Sequence, residues 1–472
     1  MAALAATSLV VTTSCGSKEK KDTTPATTEN VLALAFPSEL AISAFPATST
    51  SLTKAVDDVT KRSAADKIED QAARIKGEGD CIDPDIFKTA PPESAAETCY
   101  EFDADMNPST VNGRTTGTKT GVNSAGEACL VAFAREEVNR TVDMVDRALA
   151  LIGGIMCQAK KDGLAAVLPE IGTPLVMTTS LAAALPIGLT SKSATMTRLA
   201  DNAAGAAVYK SVVEVADSRG KTMTVSLVHS PGVDGAESGV LSSQVAETAA
   251  AVGDPNNTAN KNKLMSINYS RETVSGVKRM RFEVRRASIL NTITSFDTGG
   301  LVNYAGISDS ATNETAHAMA FLSFDMDPDT NAGDMSYWRN PGGSLNEAAR
   351  GFLFHIDAAT DGTLSGCGVS GATASKSIRK SVVDGLVVES LKPAQWWHPQ
   401  WSINSNADKD TTSYTAQTGP NITKQCFKRN SVGLYAIDTT KTVGARGYEM
   451  ILGTASTIAP PPRPANKPAK VE

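Results

Sequence analysis

Apolar and polar residues follow two different periods along this chain, and the period changes near residue 205. Before that point apolar residues recur every three or four positions, which is the spacing of one helix face. One helix is predicted over 52–76. A longer one follows Ser124 and Glu127, which we interpret as a capping box, and ends near Gly163. Its apolar stripe comprises Val131, Val138, Val142, Val145, Leu149, Ile152 and Met156.

Beyond residue 205 apolar and polar residues alternate, as they do in strands with one buried face. A hairpin is predicted across Ser275-Gly276, with apolar positions at Met265, Ile267 and Tyr269 on one strand and Met280, Phe282 and Val284 on the other. We expect Arg279 and Arg281, between these positions, to face solvent. Further strands are predicted at 208–215, 222–229, 318–324, 351–356, 432–437 and 448–452.

These patterns predict an α+β protein. We expect an N-terminal helical, disulfide-stapled region followed by a large antiparallel β domain, which is either a half-barrel or a sandwich. The boundaries that composition and periodicity indicate are 31–165 for the helical region, 166–458 for the β-rich domain and 459–472 for a Pro-rich disordered tail.

Composition and charge exclude some classes of protein. The chain has 472 residues, of which 41% are apolar and 20% charged, so it can form a substantial core. It has 45 Lys and Arg residues against 51 Asp and Glu residues, which gives a formal net charge of −6. Because no strongly basic segment is present, nucleic acid is not an expected partner. No apolar run reaches the roughly 18 residues that a membrane-spanning helix needs.

The N-terminus carries a short apolar stretch that leads to a cysteine. Residues 1–11 are uncharged, Gly16 and Ser17 follow Cys15, and 18–22 is polar. This pattern resembles the signal peptide and lipobox of bacterial lipoproteins. The resemblance implies removal of a signal peptide at 1–14, acylation of Cys15, and a flexible tether over 15–30. It also implies that the lipid anchors the protein to the outer membrane of the bacterial cell envelope, so a membrane is an expected partner.

Cysteine counting supports an oxidising compartment. Six cysteines besides Cys15 form an even set, namely Cys81, Cys99, Cys129, Cys157, Cys367 and Cys426. If Cys129 and Cys157 share one helix, they lie about 42 Å apart and do not pair. With Cys367 bonded to Cys426, two arrangements stay open: Cys81 with Cys129 and Cys99 with Cys157, or Cys81 with Cys157 and Cys99 with Cys129. We prefer the second because Cys99 and Cys129 then close the shorter loop.

An acidic loop after the strand predicted at 318–324 is a candidate cation site. Its oxygen-bearing residues are Asp325, Asp327, Asp329, Asn331 and Asp334. Alternate oxygen ligands along a loop suit a hard cation such as Ca²⁺. Compared with an EF-hand loop, Thr330 replaces the glycine and Ser336 the final glutamate. We therefore expect weak calcium binding, with a solvated turn as the alternative. Calcium is the one cofactor suggested, and none is required.

Three of the four tryptophans, Trp396, Trp397 and Trp401, lie within six residues. Aromatic residues at this density suit stacking on a sugar ring or docking in a partner's pocket, and core packing is the alternative. His355 and His398 are the histidines that a hydrolase could use, but no catalytic motif accompanies them.

The sequence thus predicts a non-enzymatic envelope or cell-surface lipoprotein. It would act as a binding module, either for an apolar ligand within a curved sheet or for a glycan at the tryptophans. A calcium-stabilised structural or adhesion protein is the first alternative. A secreted hydrolase is the second, and it requires a cleft that joins a histidine to a nucleophile and a carboxylate.

Overall fold

The structure is a computed structural model, and it describes residues 34–37, 81–82, 109–111, 114–116, 122, 126–164, 170–186, 188–218, 220–232, 236–247, 261–290, 296–303, 318–340, 350–359, 363–372, 379–383, 386–390, 397–398, 401–402, 422–430 and 433–441. The predicted helix at 52–76, the predicted strand at 448–452, the signal peptide, the tether and the Pro-rich tail all lie outside these residues.

Nineteen strands are described, and thirteen of them form one antiparallel sheet. The strands of this sheet are β3 (Pro174–Val176), β4 (Leu189–Leu199), β5 (Val208–Asp217), β6 (Thr222–Ser230), β7 (Ser238–Glu247), β8 (Lys261–Val274), β9 (Val277–Leu290), β10 (Ala318–Met326), β11 (Gly333–Asn340), β12 (Arg350–Ala358), β13 (Leu364–Ala372), β18 (Ile422–Arg429) and β19 (Tyr435–Ile437). They lie side by side in chain order from β3 to β19. The prediction of a large antiparallel β domain is therefore confirmed.

The remaining strands form three separate pairs. They are β1 (Ser109–Val111) with β2 (Arg114–Thr116), β14 (Arg379–Val383) with β15 (Leu386–Ser390), and β16 (Trp397–His398) with β17 (Trp401–Ser402). The last pair contains two of the clustered tryptophans.

The predicted long helix is present as α1 (Cys129–Lys161). A short second helix, α2 (Thr178–Ala184), lies between β3 and β4. The described members of the predicted apolar stripe on α1 are all buried, and they belong to one hydrophobic cluster with the sheet. That cluster includes residues from β4 to β13 and from β18 and β19, such as Met196, Leu227, Phe282, Phe354 and Phe427. We call the side of the sheet that packs against α1 the inner face and the opposite side the outer face.

The predicted capping box at the start of α1 is wrong. The helix begins at Cys129, so Glu127 precedes it, and Ala128 at the cap position makes no side-chain hydrogen bond. The sheet supplies hydrogen-bond partners instead. The N–H of Ala128 donates to the carbonyl of Tyr435 at 2.8 Å, and the N–H of Leu130 donates to the side-chain Oε1 of Gln425 at 2.9 Å. These bonds fasten the N-terminal end of α1 to β18 and β19, and they satisfy backbone groups that a helix leaves open.

Connections of different length lie at the two ends of the strands. Because neighbouring strands run in opposite directions, successive connections alternate between the two rims of the sheet. The short-turn rim carries 200–207, 231–237, 275–276, 327–332, 359–363 and 430–434. The longest connections, 248–260, 291–317 and 373–421, begin and end at the opposite rim, which we call the long-connection rim. Long connections on a rigid sheet are where binding residues are commonly found.

Two disulfides are described, and both are pairs that the sequence analysis preferred. Cys81 is bonded to Cys157 on α1, with the Cα atoms 5.4 Å apart. Cys367 is bonded to Cys426 across β13 and β18, with the Cα atoms 3.9 Å apart. The side chains of Cys99 and Cys129 lie outside the described residues, so their predicted bond stays a prediction. Among the described helices, none has the length and apolarity needed to cross a membrane.

Candidate functional site

The buried end of the acidic loop is an ion pair. Asp325, on the outer face of β10, is 1% exposed. Arg279 approaches its Oδ1 with Nη2 at 2.7 Å and with Nε at 2.8 Å. Arg281 lies opposite Asp325 on β9 and brings its Nε within 3.4 Å of Oδ2. The hydrogen bond to Asp325 raises the pKa of Arg279. Two guanidinium groups thus already balance the carboxylate that would have been the first calcium ligand.

The turn that follows is held by its own hydrogen bonds. The side-chain Oδ1 of Asp327 accepts the N–H of Asp329 at 2.9 Å, and its carbonyl accepts the N–H of Asn331 at 2.8 Å. Asn331 has a positive φ of 60°, which asparagine tolerates better than most residues. Lys278 on β9 pairs with Asp329 at 3.1 Å. These contacts are those of a polar β-turn.

Asp334 ends the predicted ligand set and lies opposite Asp325, on β11. It is 5% exposed, and its Oδ1 is 2.6 Å from Nδ1 of His355 on β12. The other ring nitrogen, Nε2, is 3.0 Å from Oδ1 of Asp357. The hydrogen bond to Asp334 raises the pKa of His355. Both ring nitrogens are therefore engaged by carboxylates, which favours the charged imidazole and leaves neither nitrogen as a general base.

The five predicted calcium ligands are thus not brought to one point. Asp325 and Asp334 are neighbours on the outer face, whereas Asp327, Asp329 and Asn331 shape the turn at the short-turn rim. Within the described part of the chain, no cluster of three His, Cys, Asp or Glu side chains is arranged to hold a metal ion.

Sequence reasoning missed the role of the basic residues on β9. Arg279 and Arg281 do lie on the outer face, but they are bound to Asp325, and Arg281 also contacts Glu272 at 2.7 Å. The signal was present as alternate basic residues on one strand and alternate acidic residues on the next. This pattern predicts the ion pairs only when the register of β9 against β10 is known, because that register places Arg281 opposite Asp325.

A second polar group is buried on the inner face. His229 on β6 is 1% exposed, and its Nδ1 lies 2.7 Å from the hydroxyl of Tyr269 on β8. Tyr269 reaches His229 across β7 because Gly239, the residue between them in the sheet, has no side chain. The Nε2 of His229 is buried, and none of the described residues forms a hydrogen bond with it. Burial lowers the pKa of His229 to about 3, so this ring is neutral.

Two of the clustered tryptophans, Trp397 and Trp401, fall on a small hairpin that lies beside the sheet. In it His398 pairs with Trp401, and Trp397 pairs with Ser402. Residues 397 and 401 therefore occupy opposite faces of the hairpin. The backbone of β16 lies next to β12 and β13. Trp396 lies outside the described residues, and so does the predicted lipidation site Cys15.

Comparisons with known proteins supply no relative for this chain: no family model, curated protein or solved structure matches it.

Proposed function

We propose that this chain is a non-enzymatic, lipid-anchored protein of the bacterial cell envelope that binds a glycan through its tryptophan hairpin. The observation that carries the proposal is the position of β16 and β17. They belong to the connection 373–421, which begins and ends at the long-connection rim, and β16 lies next to β12 and β13. Tryptophan rings stack on the apolar faces of sugars, so a hairpin that carries one tryptophan on each face suits a glycan chain.

The packing of α1 argues against the apolar-ligand version of this function. The inner face of the sheet is apolar, and α1 shares one hydrophobic cluster with it. An apolar ligand would have to compete with this helix for the same surface. Among the described residues, helices pack on one face of one large sheet. This favours a half-barrel arrangement over a sandwich, which buries its core between two sheets.

The contacts of His355 argue against the hydrolase alternative. A histidine that serves as a general base needs one free ring nitrogen, and both nitrogens of His355 face carboxylates. The calcium-stabilised structural alternative is weakened by Arg279, whose guanidinium already neutralises the buried Asp325. A cation at this point would have to displace an existing ion pair.

The two described disulfides support an oxidising compartment, since bonds of this kind persist outside the cytosol. The lipid anchor is tested by mass spectrometry of the membrane fraction, with Cys15→Ser as the variant. We expect a lipid-modified Cys15 peptide in the wild type and release of the variant into the soluble fraction. Recovery of wild-type protein with residues 1–14 intact and soluble would refute the anchor.

Glycan binding is tested with immobilised neutral and acidic oligosaccharides. Because the two tryptophans lie on opposite faces of the hairpin, we expect one of the variants Trp397→Ala and Trp401→Ala to weaken retention of the protein about tenfold. Stacking on one aromatic ring contributes on the order of 1–3 kcal/mol. Val274→Ala is the matched control, because Val274 is exposed at the short-turn rim. Binding that is unchanged in both tryptophan variants would exclude the hairpin as the site, and no retention of the wild type would exclude the function.

A further inference from the structure

The two described disulfides lie in different surroundings. Cys81 and Cys157 are both buried, at 5% and 0% exposed, between the segment 81–82 and α1. Cys367 and Cys426 lie directly opposite each other on the outer face of the sheet. Cys367 is partly exposed, whereas Cys426 is buried. A thiol in solution can therefore approach the Cys367 side of the second bond while the fold is intact.

A histidine and an aspartate lie next to the two strands that this outer bond joins. His355 is the residue opposite Cys367 on the neighbouring strand β12. Asp438 lies beside Cys426, because its N–H donates to the Cys426 carbonyl at 2.9 Å. A hydrogen bond from Thr440 lowers the pKa of Asp438, so its carboxylate is ionised at neutral pH. The exposure of Cys367 and the burial of Cys426 therefore decide which sulfur an external thiol attacks.

Further charged groups on this face balance one another. Asp334 and Asp357 engage the ring of His355, and Lys441 lies 3.7 Å from Asp357. Lys428 pairs with Ser365, two residues along β18 and β13 from the disulfide. Lys441 and Lys428 also lower the pKa of Asp438. Removal of either His355 or Asp438 therefore leaves the charge of its partners unbalanced near the bond.

The position of the outer bond gives its opening a structural consequence. Gln425, the residue before Cys426, holds the N–H of Leu130 at the start of α1. Tyr435 on the adjoining strand β19 holds the N–H of Ala128. The disulfide thus fixes β18 to β13, and β18 is one of the two strands that fasten the N-terminal end of α1.

We propose that the Cys367–Cys426 bond is a site of thiol–disulfide exchange with an external dithiol, and that Cys81–Cys157 is not. The first thiolate of the dithiol attacks Sγ of Cys367, the protein S–S bond breaks, and Cys426 leaves and takes up a proton. The second thiolate of the dithiol then attacks the dithiol sulfur that is bonded to Cys367. This step releases Cys367 as a thiolate, which takes up a proton. The dithiol is oxidised to a disulfide and the protein gains two electrons and two thiol groups.

The test is a dithiothreitol titration of the full-length folded protein at pH 7.5, followed by alkylation and peptide mass mapping. We expect peptides with Cys367 and Cys426 to be labelled at about tenfold lower dithiothreitol than those with Cys81 and Cys157. Amide hydrogen exchange at residues 128–131 should rise in step with that labelling. Simultaneous opening of both bonds, or opening of Cys81–Cys157 first, would overturn the proposal.

Two charge variants test the mechanism in opposite directions. His355→Gln should raise the dithiothreitol needed for half reduction about fivefold, because it leaves the carboxylates of Asp334 and Asp357 unbalanced near Cys367. Asp438→Asn, at an exposed turn, should lower it by a similar factor. Lys278→Gln is the control at the tip of the β8 and β9 hairpin and should leave the titration unchanged. If His355→Gln does not fold, Asp438→Asn alone decides, and an unchanged or raised midpoint in that variant would contradict the assignment.

Discussion

Acidification should destabilise this protein through the buried His229. In the folded state burial holds the pKa of His229 at about 3, whereas an unfolded chain gives histidine its ordinary value near 6.5. Between these two pKa values, His229 therefore binds a proton in the unfolded state but not in the folded state. The contribution of His229 to stability is fully present above pH 6.5 and is lost as the pH falls toward 3.

The size of the effect follows from this difference in pKa. Each pH unit between the two pKa values corresponds to about 1.4 kcal/mol. Linkage then gives a loss of about 1.4 kcal/mol at pH 5.5 and about 2.7 kcal/mol at pH 4.5, relative to pH 7.5 and above. Such losses are a large fraction of the stability of an ordinary domain.

The variant His229→Asn isolates this contribution. Its amide can still hydrogen-bond to the hydroxyl of Tyr269, but it does not titrate. We expect the variant to be less stable at pH 7.5 by about 1–3 kcal/mol, because the smaller side chain leaves a space in the core. Below pH 6.5 its disadvantage should shrink, since the wild type alone loses the histidine contribution.

Urea unfolding followed by circular dichroism at pH 7.5, 6.5, 5.5 and 4.5 provides the measurement. The difference between wild type and variant cancels the titration of carboxylates common to both proteins. His355→Gln is the control, because His355 is a histidine with a pKa shifted in the opposite direction. Parallel stability profiles for wild type and His229→Asn over this pH range would refute the reasoning.

Three further outcomes are expected. His355→Gln should lower the free energy of unfolding by about 1 kcal/mol below pH 6.5, after allowance for the partial exposure of His355. The loss should become smaller as the pH rises through the raised folded-state pKa of His355, and urea unfolding measures it. Gly239→Ala should lower the melting temperature by several degrees, because its new methyl group would meet the Tyr269 hydroxyl and the Val228 carbonyl. Thermal melts in millimolar calcium and in chelator should coincide, since Arg279 neutralises Asp325, and a rise of several degrees with calcium would contradict this.

Features that depend on neighbouring residues could be predicted from the sequence. The alternation around Met280, Phe282 and Val284 indicated a strand, and the Ser275-Gly276 turn between β8 and β9 is present with positive φ angles of 53° and 81°. A two-residue turn of this type matches the twist of its strands. The long helix was likewise predicted by its 3.6-residue period, because that period is a local property.

Polar contacts between distant residues could not be predicted. The helix cap was assigned to Ser124 and Glu127, which are close to α1 in sequence, whereas the observed partner Gln425 is 295 positions from Leu130. The acidic loop was interpreted as a cation site because Arg279, 46 positions from Asp325, was not known to be its neighbour. In both cases the role was assigned to residues that are close in sequence, whereas the observed partner is distant in sequence.

The topology explains where this division falls. From β3 to β13 each strand pairs with the strand that follows it in the chain, so turn chemistry and alternation carry most of the information for pairing. The outer-face ion pairs and the contact between His229 and Tyr269 link strands through their register, which a shift of one residue would reverse between the two faces. Polar contacts of this kind therefore select one register among those that the apolar pattern allows. Substitution of Asp325 or Gly239 should therefore disturb the register between neighbouring strands, while the strands themselves still form.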